Sequence, residues 1–142
     1  MSTEIFLAES DEEINACYSV MAELRPHITE EEFLQRIKRQ GAIADYRLAC
    51  AVDGEVKAVA GFRISENLAW GKFLYVDDLV SKSDARSKGY GGELFDWLVA
   101  YARANDCDQF HLDSGVQRFR AHRFYLMKRM LIESHHFGLK LK

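Results

Sequence analysis

Arg86-Ser87-Lys88-Gly89-Tyr90-Gly91-Gly92 is the stretch on which the reading of this chain turns. A strand-like run, Lys72 to Val80, leads into it, and an amphipathic helical pattern, Glu93 to Asn105, leads out of it. A glycine-rich turn between a strand and a helix exposes backbone N–H groups that have no intrahelical partner, at the positive end of the helix dipole. That is a ready anion site, and phosphate is the usual anion. Gly89, Gly91 and Gly92 carry no Cβ, so a ligand can approach the main chain closely. Arg86 and Lys88 add cations at the rim. The stretch reads as a pyrophosphate cradle at the head of a helix; the bland reading is a glycine-rich turn with no ligand.

Two common phosphate motifs do not fit. A P-loop needs Gly-Lys-Ser/Thr, and here Gly92 is followed by Glu93 and Leu94. A dinucleotide fingerprint needs a third glycine, and Leu94 stands in its place. What is present is R-x-x-G-x-G, Arg86 to Gly91. It resembles the acetyl-CoA signature of the GNAT N-acetyltransferase superfamily. The resemblance implies acetyl-CoA as co-substrate, held at Arg86, Ser87, Lys88, Gly89, Tyr90, Gly91 and Gly92. It also implies that Leu79, Val80 and Ser81 offer backbone groups to the pantetheine arm, one N–H polarising the thioester carbonyl as an oxyanion-hole donor does.

The 142 residues suit one domain, residues 1–142, with one core. A net charge of −3 without a basic block argues against nucleic acid as a partner. No apolar run reaches a membrane span, and Met1 to Leu7 lacks the basic and apolar regions of a signal peptide. Cys17, Cys50 and Cys107 stand far apart, which fits buried, reduced thiols of a cytoplasmic protein. The five histidines, with His135 and His136 adjacent, suit chelation poorly, so no metal site is expected.

Working outward, Thr3 to Leu7 reads as a first strand. Ser10 and Glu13 form a capping box opening a helix over Ile14, Cys17, Met21 and Leu24, which Pro26 stops. Thr29 and Glu32 form a second box, and that helix ends near Gly41. Tyr46 to Val52 and Glu55 to Ile64 are strands joined by an Asp53-Gly54 turn, and Ser65 to Gly71 turns into Lys72–Val80. Leu94, Phe95, Leu98, Val99 and Ala102 share one face of the helix after the cradle. Phe110 to Leu112 is a strand, parallel to Lys72–Val80 because a helix separates them. Phe119 to Lys128 is a last helix, and Leu131 to Leu141 should give one or two closing strands. The result is a mixed α/β fold: a mostly antiparallel central sheet flanked by helices, with the fourth and fifth strands parallel and, by the resemblance, splayed. The order matches that of the GNAT fold over nearly the whole chain.

Ala121-His122-Arg123-Phe124-Tyr125 resembles a second family piece, A-x-x-F-Y. Two positions depart from the pattern. Val116-Gln117-Arg118 stand where an Asn often precedes it, and Arg129-Met130 stand where a Gly-aromatic pair often follows. The resemblance implies Tyr125 as the general acid for the departing thiolate, a phenol of pKa about 10 serving a thiol of about 8.5. It likewise places an acidic residue near the acceptor amine at Asp77; the plainer reading is that Asp77 holds a loop or binds a cationic substrate. Neighbouring residues of a strand face opposite sides, so Asp78 should face away from Asp77 and act structurally; the exception is a bulge, which the resemblance implies is common near here. Trp97, on the less apolar side of its helix, is the candidate homodimer contact. The expected activity is N-acetylation of a small-molecule or peptide amine by direct attack. The alternative is a non-catalytic acyl-CoA-binding sensor or partner-binding module on the same fold.

Overall fold

The computed structural model describes residues 3–142. They fall into two compact units, one ending at His111 and one spanning Leu112–Lys142. In the first, β1 (Glu4–Leu7) leads to α1 (Asp11–Ala16) and α2 (Tyr18–Leu24). The Ser10–Glu13 box is present, with Ser10 Oγ accepting from the Glu13 N–H and Glu13 accepting from the Ser10 N–H, both at 3.1 Å. One continuous helix was expected here, and it breaks at Cys17. The Cys17 N–H reaches only to Ile14 O, and its thiol takes Glu13 O at 3.4 Å, so the side chain replaces a backbone bond of the ladder. Pro26 forces Arg25 out of helical geometry and α2 stops.

The Thr29–Glu32 box opens α3 (Glu30–Ala44), which runs through Gly41 and ends where Asp45 turns left-handed at φ 56°. β2 (Arg47–Asp53), β3 (Glu55–Asn67) and β4 (Gly71–Ser81) form an antiparallel meander, with Gly54 at φ 78° closing the first hairpin. The β3–β4 hairpin is longer than its sequence implied: Ser65 to Asn67 stay in the ladder, and the turn is confined to the residues between Asn67 and Gly71. A 3-10 turn (Ser83–Ala85) and α4 (Tyr90–Ala104) follow, then β5 (Gln109–Leu112). The sheet order is β1-β2-β3-β4-β5, antiparallel throughout except for the parallel β4–β5 pair.

Alternation along β2 and β3 sorts the core into two layers. Leu48, Cys50 and Val59 join Ile14, Cys17, Val20, Met21, Phe33 and Ile37 on the face covered by α1–α3. Phe62 meets Tyr101 edge-on at 5.4 Å on the face covered by α4, where Leu94 and Leu98 are fully buried. Among the described residues no helix is long and apolar enough to cross a membrane.

The second unit holds α5 (Phe119–Met127) and the residues after it. The closing strands expected over Leu131 to Leu141 are absent: residues 130–142 are neither helix nor strand. The segment has the alternation of a strand at Phe137, Leu139 and Leu141. A strand needs a ladder partner, however, and these side chains stand 86–92% exposed.

Candidate active site

α4 begins at Tyr90, three residues earlier than its apolar pattern suggested, so Gly91 and Gly92 belong to its first turn. Gly89 is the N-cap at φ 89° and supplies no side-chain acceptor; the first intrahelical bond is Glu93 N–H to Gly89 O at 2.9 Å. The N–H groups of Tyr90, Gly91 and Gly92 therefore head the helix without a side-chain cap, the arrangement an anion satisfies. A Cβ at Gly91 would come within 2.8 Å of Ser81 Oγ, so the glycine lets α4 sit against the end of β4. The loop before the helix is pinned at several points. Tyr90 donates to Asp53 at 2.7 Å, which pushes its phenol pKa up. Arg86 donates to Ser81 O at 3.3 Å, and its guanidinium lies 3.5 Å from Glu23. Ser87 adopts a left-handed φ of 70°, and Lys88 is exposed.

The second feature is an open strand edge. The Asp108 N–H donates to Lys72 O at 2.6 Å, which sets the start of β5 beside the start of β4. From there β5 runs parallel to β4 for only four residues. Leu79, Val80 and Ser81 lie past its end. On the other side they pair with Ala60, Val59 and Ala58. The Lys82 N–H donates to Lys57 O across this ladder at 2.8 Å, so by alternation Val80 also points its backbone groups at β3. Leu79 and Ser81 then direct theirs away from β3, where the Ser81 carbonyl accepts from Arg86. Val80 contributes a buried side chain to the α1–α3 core instead.

The third feature overturns the expectation that Asp77 and Asp78 face opposite sides. Gly61 pairs with Asp78 but Phe62 pairs with Val76, so Asp77 is the extra residue of a β-bulge. Gly61 and Arg63 share the α1–α3 face with Val59, and both aspartates meet that face. Arg63 forks onto Asp77 at 2.7 and 3.0 Å and lies 5.2 Å over the Tyr75 ring. Arg25 donates to Asp78 at 2.8 Å and to the Asp77 carbonyl at 3.0 Å. Tyr46 donates to the other Asp78 oxygen at 2.8 Å. Burial first, then the Asp78 carboxylate, pushes the Tyr46 phenol well above its ordinary pKa. The Asp77 side chain is 28% exposed against 14% for Asp78, so Asp77 is the more accessible of the pair.

The sequence reading missed Arg25, Arg63, Tyr46 and Glu23. Their partners lie 14 to 63 residues away, and no local pattern marks them. The one signal was Gly61, a glycine inside a strand, which marks close approach of another group. A Cβ there would overlap the Tyr46 hydroxyl.

Tyr125 stands on α5 in the second unit, and burial raises its phenol pKa while Arg118 lowers it. His122 bonds the Gly115 carbonyl at 2.7 Å, and the Arg118 N–H takes the same carbonyl at 3.0 Å. Arg129 sits at φ 70°, with its N–H on Leu126 O and the Met130 N–H on Tyr125 O. That is a helix C-terminal motif which normally takes glycine. Arg129 thus occupies a backbone position that glycine usually takes.

The sequence profile of the Acetyltransferase (GNAT) family matches residues 7–129. An uncharacterised N-acetyltransferase of Bacillus subtilis (strain 168), YhdJ, is 35% identical over 120 residues, 84% of each chain. Among solved structures, a GNAT family acetyltransferase of Staphylococcus aureus shares the fold with a TM-score of 0.83 at 19% identity, over 99% of this chain and 100% of that one. Glucosamine-6-phosphate N-acetyltransferase of Arabidopsis thaliana does so with a TM-score of 0.77 at 20% identity, over the whole of both chains. The chain belongs to the GNAT acetyltransferase family, whose members use acetyl-CoA as co-substrate.

Proposed function

We propose that residues 1–142 act as one cytoplasmic acetyltransferase domain that moves an acetyl group from acetyl-CoA to an amine of a small molecule or peptide by direct attack. The observation that carries this reading is the juxtaposition on one β4–α4 segment of an uncapped helix N-terminus and an open strand edge. The first suits a pyrophosphate; the second suits an extended pantetheine amide chain. Gly89 to Gly92 take the pyrophosphate through the backbone, with Arg86, Ser87 and Lys88 shaping the rim. Ser81 and Leu79 pair with the pantetheine, and Val80 supports them from the core.

In the reaction the amine nitrogen attacks the thioester carbonyl carbon and a C–N bond forms. The carbonyl oxygen takes the negative charge and is stabilised by the outward N–H of Leu79. The C–S bond then breaks, and the sulfur leaves with a proton from Tyr125. The raised phenol pKa keeps that proton in place through the neutral range. The proton lost by the amine passes to Asp77, directly or through one water. Each Asp77 oxygen already accepts from Arg63, which leaves a further lone pair on each for an ammonium, amine or water. Asp78, committed to Arg25 and Tyr46, serves structure.

The test has two arms. Calorimetry with CoA reads the cradle, and thiol release from acetyl-CoA with a panel of polyamines, amino sugars, amino acids and peptides reads the transfer. Binding with amine-dependent thiol release supports the enzyme. Binding with no release across the panel supports the non-catalytic acyl-CoA sensor. No binding overturns both.

A further inference from the structure

We infer that Glu23 is a positioning residue for the coenzyme cradle, and that the last turn of α2 ties the cradle to the acid pair of β4. The inference rests on the acetyl-CoA reading above. The loop from Lys82 to Gly89 buries only Ala85, so polar ties rather than apolar packing set its shape. Arg86 is bonded to Ser81 O within the β4–loop segment itself, and Lys82 reaches Glu55 at the β2–β3 hairpin at 2.6 Å. The tie from the helical layer is Glu23. Its Oε1 accepts from the Ser83 N–H at 3.0 Å and lies 3.5 Å from the Arg86 guanidinium. Two residues on, Arg25 holds the Asp78 carboxylate and the Asp77 carbonyl.

One short, proline-stopped turn therefore grips the coenzyme loop with its acid and the acceptor-side bulge with its base. A cradle made of backbone N–H groups binds only as well as its loop is preorganised, since any ordering left to the moment of binding weakens affinity. Glu23 supplies that order from outside the loop. Because Glu23 and Arg25 share one turn, filling the cradle also firms the support of Asp77 and Asp78. The Ser83 bond is the shorter of the two Glu23 contacts and carries the larger part.

Glu23→Ala and Glu23→Gln test this, with CoA as the probe. The Ala variant should bind CoA about five- to tenfold more weakly, the size of a partly exposed bond to a charged acceptor. The Gln variant keeps an acceptor for the Ser83 N–H and should recover to within about twofold of the parent and melt with it, while the Ala variant stays folded and melts only about a few degrees lower. Hydrogen exchange supplies the readout that packing alone would not move. At saturating CoA, amides of Tyr18 to Arg25 should gain protection in the parent and in Glu23→Gln, and gain none in Glu23→Ala. Equal CoA affinity in parent and Ala variant, a Gln variant no better than Ala, or undiminished protection of α2 in the Ala variant would each overturn the inference. Failure of the parent itself to bind CoA would instead overturn the acetyl-CoA reading on which it stands.

Discussion

Replacing Gly61 by alanine is the sharpest probe of the acid-pair geometry. A glycine inside a strand normally costs about 0.5–1 kcal/mol relative to alanine, so the ordinary expectation is a small gain. Here the added methyl would overlap the Tyr46 hydroxyl and come within 2.7 Å of ring carbon Cε1. Tyr46 is 6% exposed, packed in the α1–α3 core, so the ring has little room to yield. Moving it breaks its bond to Asp78, and a lost hydrogen bond to a charged group costs about 1.5–3 kcal/mol. Overpacking adds about 1–3 kcal/mol. After subtracting the glycine gain, the net is a destabilisation of about 3 kcal/mol, a large share of the roughly 5–15 kcal/mol that holds a domain folded. Urea denaturation measures it, as a lower midpoint at unchanged slope. The control is a cycle with Tyr46→Leu, which removes the ring. In that background Gly61→Ala should return to the ordinary small gain of about 0.5–1 kcal/mol, giving a coupling energy of about 4 kcal/mol. A neutral or stabilising Gly61→Ala in the parent, or a cost that persists without the ring, refutes the placement of Tyr46 over Gly61.

Gly91→Glu should abolish CoA binding in calorimetry through bulk and like charge, whereas Gly91→Ala, which meets only the movable end of Ser81, should fold normally. Tyr125→Phe should lower turnover by roughly 10²-fold or more with CoA affinity nearly intact. Because the phenol pKa is raised, the parent should keep this acid as pH rises past the ordinary value of about 10, and lose turnover only above it; that alkaline fall, read in a pH–rate profile, should vanish in the variant. Arg129→Gly should stabilise the protein by about 1 kcal/mol, seen as a rise in melting temperature, because an L-residue pays roughly 1–2 kcal/mol for a left-handed backbone and glycine pays little.

Much of the fold was legible because its signals are local. Both capping boxes, the proline stop, the Asp53-Gly54 turn and the 3.6-residue pattern of α4 each lie within a few residues of what they specify. The glycine-rich head of α4, with no side-chain cap, was legible for the same reason. What could not be read was set by contacts distant in sequence. Nothing near Arg25 marks Asp78, 53 residues away, as its partner. The alternation rule misplaced Asp78 because a bulge is an extra residue on one strand relative to another, and one strand's sequence does not show the count on its neighbour. The closing strands failed likewise: the alternation at Phe137, Leu139 and Leu141 states a preference, and only a partner strand turns it into structure.

The bulge at Asp77 explains why β4 can serve both halves of the proposed site. Val76 pairs with Phe62, which packs on Tyr101 of α4, whereas Val80 lies in the core under α1–α3. In a regular strand, residues four apart share a face, so Val76 and Val80 could not both be buried in opposite layers. The extra residue reverses the alternation between them. The lower part of β4 thereby packs against the helix that follows it, and the upper part against the helices that precede it. The same reversal brings Asp77 and Asp78 onto one face, where Arg63, Arg25 and Tyr46 satisfy them. It lies where β5, started level with Lys72, comes to its end, so the acid pair and the open backbone of Leu79 and Ser81 adjoin along one strand. One inserted residue thus sets the carboxylate proposed to meet the acceptor beside the strand edge proposed to hold the thioester.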